Sequence, residues 1–197
     1  WSRWTAHDAS SERRIDHRAW DRCLDTYLSE GPDGVVRIAY GSVSRPDRAA
    51  LRAYIASLAA EPISTYARAE QFAFWVNLYN AQTVSTILEH YPVESIRDID
   101  ISPGLFADGP WGKKLLAIEG ESVSLDDIEH RILRPIWQEP RVHYAVNCAS
   151  IGCPNLLRSA FTAENTERLL TQGAIAYVNH PRGVKIADGA LTLSSIY

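Results

Sequence analysis

The stretch 72–88, FAFWVNLYNAQTVSTIL, is apolar on nearly every side, which decides where it must sit. A helix with no polar face belongs at the centre of a fold. The pattern predicts a helix over about 66–90, stopped by Pro92. Asn77, Asn80, Gln82 and several hydroxyls interrupt the stretch, so it is not a membrane span. Asn77 and Asn80 are three apart and share one helix face. A buried amide without partners costs roughly 1–3 kcal/mol. The pair must therefore tie a neighbouring loop to the helix, or orient a catalytic histidine or a substrate amide.

The rest of the chain is punctuated around that helix. Ile15, Ala19, Cys23 and Tyr27 recur every fourth residue and predict a helix over 10–27. Gly31 and Pro32 break it, and the β-branched run 35–40 reads as a strand. Ser44, followed by Pro46, caps a helix over 44–60. A Gly/Pro/Asp-rich loop over 98–112 precedes a strand at 114–118. Ser124 and Asp127 form a capping box for a helix ending near Leu133. The segment 141–147 reads as a strand and 148–155 as a tight loop. Thr162 caps a helix over 162–178, and Asp188-Gly189 joins two strands at 184–186 and 190–193. Helices followed by short strands, without a βαβ repeat, predict an α+β fold. We expect a compact single domain over 1–197, with 1–30 as a helical extension packed on it. Its buried central helix should pack on a small, mainly antiparallel sheet.

Charge and cysteines narrow the partners. The net charge is −4 with no basic stripe, which argues against nucleic acid and anionic lipid. The chain starts at Trp1 and contains no Met, so an N-terminal piece, such as a secretory signal, is expected to have been removed. Of three cysteines, Cys148 and Cys153 lie close together and Cys23 stands apart. The close pair allows a small disulfide, which would suit an oxidising compartment.

The candidate chemistry gathers near 141–153. In a strand, His143 and Asn147 share a face, with Cys148 at the strand end. His143 could lower the pKa of Cys148 or Cys153, as a Cys–His nucleophile requires. A disulfide would compete by leaving no thiolate. Zinc on His143, Cys148, Cys153 and His130 is a third option, but the usual short cysteine spacings are absent. Glu129 could orient His143, or simply pair with Arg131 or Arg134. Arg141 opens the same segment and joins the binding candidates. Trp75, Tyr79, Trp111 and Tyr144 could line an aromatic groove for a peptide or glycan, or pack in the core. No phosphate loop, dinucleotide fingerprint, nucleophile elbow or metalloprotease helix is present, and the sequence calls for no cofactor.

Four segments carry a resemblance: 71–81 (QFAFWVNLYNA), 90–99 (HYPVESIRDI), 124–135 (SLDDIEHRILRP) and 141–154 (RVHYAVNCASIGCP). Together they resemble domain-of-unknown-function family 547. Its bacterial members are often exported, and its plant members carry coiled-coil segments. The resemblance implies a periplasmic or secreted location and no defined reaction. It points to Asn77, Asn80, Glu129, His130, His143, Asn147, Cys148 and Cys153 as the positions to watch. Related chains usually continue past the last strand with an aromatic and acidic segment, whereas this sequence stops at Tyr197. A long buried helix followed by a strand histidine also resembles papain-like and transglutaminase-like folds. Those folds place a cysteine at the start of that helix, and here 69–71 has none. The two functional expectations are a binding module for a peptide or envelope polymer, and a Cys/His enzyme of acyl transfer or amide hydrolysis. On the second, His143 would be the base, a cysteine the nucleophile, and Asn77 or Asn147 the orienter or oxyanion donor.

Overall fold

The central helix forms as its composition demands. In a computed structural model that describes residues 1–104, 108–187 and 189–197, α3 runs Arg68–His90, and every residue from Glu70 to Leu88 is buried. Around it pack α1 (Arg18–Tyr27), α2 (Arg45–Ala59), a π-helix (Asp127–Leu133), the short α4 (Arg134–Trp137) and α5 (Thr166–Val178). Leu51, Tyr54, Ile55 and Leu58 of α2, Ile128, Ile132 and Leu133 of the π-helix, and Leu169 and Leu170 of α5 share one core with α3. Such burial, at about 25 cal/mol per Å² of apolar surface, is what holds the layers together.

The strands are short. β1 (Leu28–Glu30) pairs with β2 (Val36–Ile38), β3 (Leu116–Ile118) with β4 (Glu121–Val123), and β5 (Val184–Ala187) with β6 (Ala190–Leu193), all antiparallel. The class is α+β. The strands stay as three separate two-stranded ribbons and do not merge into one sheet. Asp188, in the predicted hairpin turn, and 105–107, in the predicted loop, lie outside the described residues.

The caps follow the sequence. Ser44 accepts the Asp47 N–H, and Ser124 and Asp127 exchange the two bonds of a capping box at 3.2 and 2.9 Å. The helix predicted from Thr162 begins at Thr166, and two larger expectations also fail. The helix predicted from residue 10 begins at Arg18. The Ile15 N–H is drawn to the buried Glu70 carboxylate at 2.8 Å, so it cannot join a helical ladder. The strand predicted at 141–147 is a 3₁₀ turn over Pro140–Tyr144. Glu139 accepts the Arg141 N–H as its cap, and Pro140 fits the first turn. The buried residues of 141–147, Val142, Ala145 and Val146, have helical rather than alternating spacing.

Candidate functional site

Two asparagine bridges from α3 hold this region. Asn77 is fully buried and clasps the Phe161 backbone from both sides, donating to its carbonyl at 2.8 Å and accepting its N–H at 2.9 Å. Asn80 does the same to the 3₁₀ turn's exit, donating to Ala145 O at 2.8 Å and accepting Asn147 N–H at 2.9 Å. Asn147 extends the chain of bonds, donating to Pro154 O at 2.6 Å and accepting Ala149 N–H at 2.8 Å. Asn80 and Asn147 thereby fix the loop that carries both cysteines. Asn77, one turn earlier on α3, holds Phe161 instead and is not among the residues lining the clefts around this loop.

Cys148 and Cys153 are joined by a disulfide, and Cys23 is the free thiol, half-buried and pushed up to about 11 by burial. While the bond is closed, neither Cys148 nor Cys153 has a thiolate to offer. Closing so short a ring contributes about 2 kcal/mol by the chain-entropy model. Replacing both cysteines by serine is therefore expected to lower unfolding free energy by about that amount, as read by urea denaturation. A loss under about 0.5 kcal/mol would mean the asparagine bonds hold the loop unaided.

A cleft of about 520 Å³ opens beside the disulfide. Glu129, Arg134, His143, Cys148, Cys153 and Tyr197 are among its walls. The π-helix explains one feature of it. Glu129 and Arg134 are five apart, and the Arg134 N–H bonds back to Glu129 O across that π-turn. The wider turn brings Arg134 over Glu129, and Arg134 Nη2 donates to Glu129 Oε1 at 2.5 Å. π-turns recur at functional sites. Arg134 Nη2 also donates to His143 Nδ1 at 3.1 Å. Burial, then the Arg134 charge, lower the His143 pKa below its ordinary 6.5, against a smaller opposing pull from Glu129. A guanidinium has no lone pair, so Nδ1 is the acceptor. The neutral ring therefore carries its proton on Nε2, which has no partner among the described residues.

The remaining candidates are dispersed. Tyr79 is buried in the core, and burial, then the nearby Glu129 charge, hold its phenol well above 10. Trp75 is core, with its ring 5.1 Å from Trp4 and 4.9 Å from Phe74. His130 is exposed on the π-helix. Arg141 is taken up by Glu139 and Glu167 at 2.8 and 2.7 Å. Trp111 lines a different cleft, with Tyr40 and Tyr91, and Tyr144 packs toward Tyr177 at 6.0 Å. Among the described residues, no three His, Cys, Asp or Glu side chains are arranged to hold a metal ion, and no helix is long and apolar enough to cross a membrane. Arg134 and Tyr197 belong to the cleft without having been singled out for it. The sequence offered Arg134 only as an ordinary ion-pair partner of Glu129, and nothing in the pattern pointed to Tyr197.

No curated protein and no solved structure matches this chain. The family model described as "Protein of unknown function, DUF547" matches residues 63–178. That segment holds α3, the π-helix, the 3₁₀ turn and the disulfide loop, together with most of the cleft. It makes up more than half of the 197 residues, and the protein belongs to the DUF547 family.

Proposed function

We propose that this protein is an exported binding module whose cleft beside the disulfide takes amide groups of a peptide or cell-envelope polymer. The observation that carries this is the Arg134 Nη2 bond to His143 Nδ1 at 3.1 Å. It makes the neutral imidazole a donor through Nε2–H, not a base. Beside it stands the Glu129 carboxylate, an acceptor. One donor and one acceptor in a common cleft complement the C=O and N–H of an amide. A disulfide in the wall suits an oxidising compartment outside the cytoplasm.

The probe is muramyl dipeptide, which carries both N-acetyl and peptide amides. Titrated into the oxidised protein, it is expected to shift the NMR signals of His143, Glu129 and Tyr197 saturably. His143→Phe keeps a ring but loses the donor, and should weaken binding at least tenfold, about 1.4 kcal/mol. Equal affinity in wild type and variant, or no saturable shift at these residues, defeats the reading.

The enzyme alternative has one observation in its favour: His143, Cys148 and Cys153 share the cleft. It needs a dithiol reductant to open the disulfide first. Iodoacetamide applied to the reduced protein across pH tests it, since a nucleophilic cysteine must react near neutrality faster than an ordinary thiol.

A further inference from the structure

A second cavity, of about 250 Å³, lies on another side of the disulfide loop and shares only Cys153 and Pro154 with the cleft above. The β1–β2 ribbon, the middle of α3 and residues 147–156 enclose it. At about 30 Å³ per water-sized group it has room for roughly eight. Leu28, Val36, Ile38, Val84 and Leu156 give it an apolar wall. The deep polar groups are already engaged. Asn80 bonds Ala145 and Asn147, and the Thr83 hydroxyl donates to Tyr79 O at 2.8 Å. Nothing at that end calls for a polar ligand.

The charged groups in the wall are of one sign. Arg37 and Arg182 line the cavity and no Asp or Glu does. Asp33 already holds Arg37 at 2.6 Å. Arg182 differs. Its Nη1 donates to Ile151 O and Cys153 O at 2.6 and 2.9 Å, its Nη2 to Asn155 Oδ1 at 2.7 Å, and its Nε to His180 Nδ1 at 3.3 Å. None of the four acceptors is a carboxylate, and among the described residues Arg182 makes no ion pair. One of its five N–H groups, on Nη2, is left over. A half-buried cation held in place by carbonyls, with a spare donor, at an apolar cavity is complementary to a single anionic head on an apolar chain.

We propose that this cavity binds a medium-chain monocarboxylate, its chain between the β1–β2 ribbon and α3 and its carboxylate on Arg182. Octanoate, octanol and acetate, titrated separately into the full chain and followed by NMR, test it. Octanoate is expected to bind once and saturably, moving the signals of Val36, Val84 and Ile151 and leaving those of Glu129 and His143 in place. Octanol, which lacks the charge, should bind at least tenfold more weakly, and acetate, which lacks the chain, should not saturate. Ile38→Trp fills the cavity and should abolish octanoate binding. Arg182→Lys keeps a cation but loses the fork, and should weaken binding severalfold. Octanol equal to octanoate, acetate equal to octanoate, or no saturable octanoate binding at millimolar concentration each overturns the proposal. The three-ligand comparison decides even if a variant fails to fold.

Discussion

Replacing Asn77 by alanine is expected to cost about 4 kcal/mol of unfolding free energy. Two separate effects add. Phe161 is 2% exposed, and both its N–H and its C=O rely on the Asn77 amide. Removing the amide strands two buried backbone groups, at roughly 1–3 kcal/mol each. The deleted side-chain atoms also leave a small void against the core, which adds to the cost. A loss of that size consumes much of the roughly 5–15 kcal/mol by which a domain of ordinary stability stays folded. The urea midpoint should fall with the slope unchanged. Asn77→Asp keeps the acceptor for Phe161 N–H but faces its C=O with a second oxygen. It should recover part of the loss at acidic pH, where the carboxyl becomes a donor, and little at neutral pH. A cost under about 1 kcal/mol for the alanine variant would show that Phe161 finds other partners.

That bridge shows what was legible and what was not. The apolar run 72–88 announced a buried helix, and its asparagines announced that something must be tied to it; both statements needed only the cost of an unpaired amide. What they tie was not legible, because Phe161 and Ala145 are brought there by the fold, not by spacing. The capping box at Ser124 and Asp127 was legible because it is complete within four residues. The π-helix that follows was not. On an ordinary α-helix, residues five apart diverge, so Glu129 and Arg134 read as separate surface groups until the wider turn superimposed them. At 141–147, the apparent alternation reads as a strand, but the three-and-four spacing of Val142, Ala145 and Val146 is the better guide. The cysteines could be weighed as a disulfide or as thiols from sequence; only their placement beside His143 required coordinates.

The second large effect is a loss of stability between neutral and acid pH, governed by His17. This residue precedes α1, is 4% exposed, and shares a 2.6 Å hydrogen bond with the Tyr54 hydroxyl through Nδ1. Its Nε2 is buried with no partner among the described residues. Burial disfavours the charged ring and pulls its pKa from 6.5 to about 4, with only a weak counter-pull from Asp16. The unfolded chain therefore takes up a proton near pH 6.5 that the folded chain refuses until about pH 4. Protons bound by the unfolded state favour unfolding, so the stability is present above pH 6.5 and is lost as pH falls through that window. The full difference is about 3 kcal/mol, with about 2 kcal/mol of it gone by pH 5, before most carboxylates titrate. His17→Gln retains a polar partner for Tyr54 and cannot titrate. Its unfolding free energy should be nearly flat from pH 7 to 5, where the wild type slopes. Parallel slopes in the two proteins would show that His17 protonates without leaving the core, and that acid sensitivity arises elsewhere.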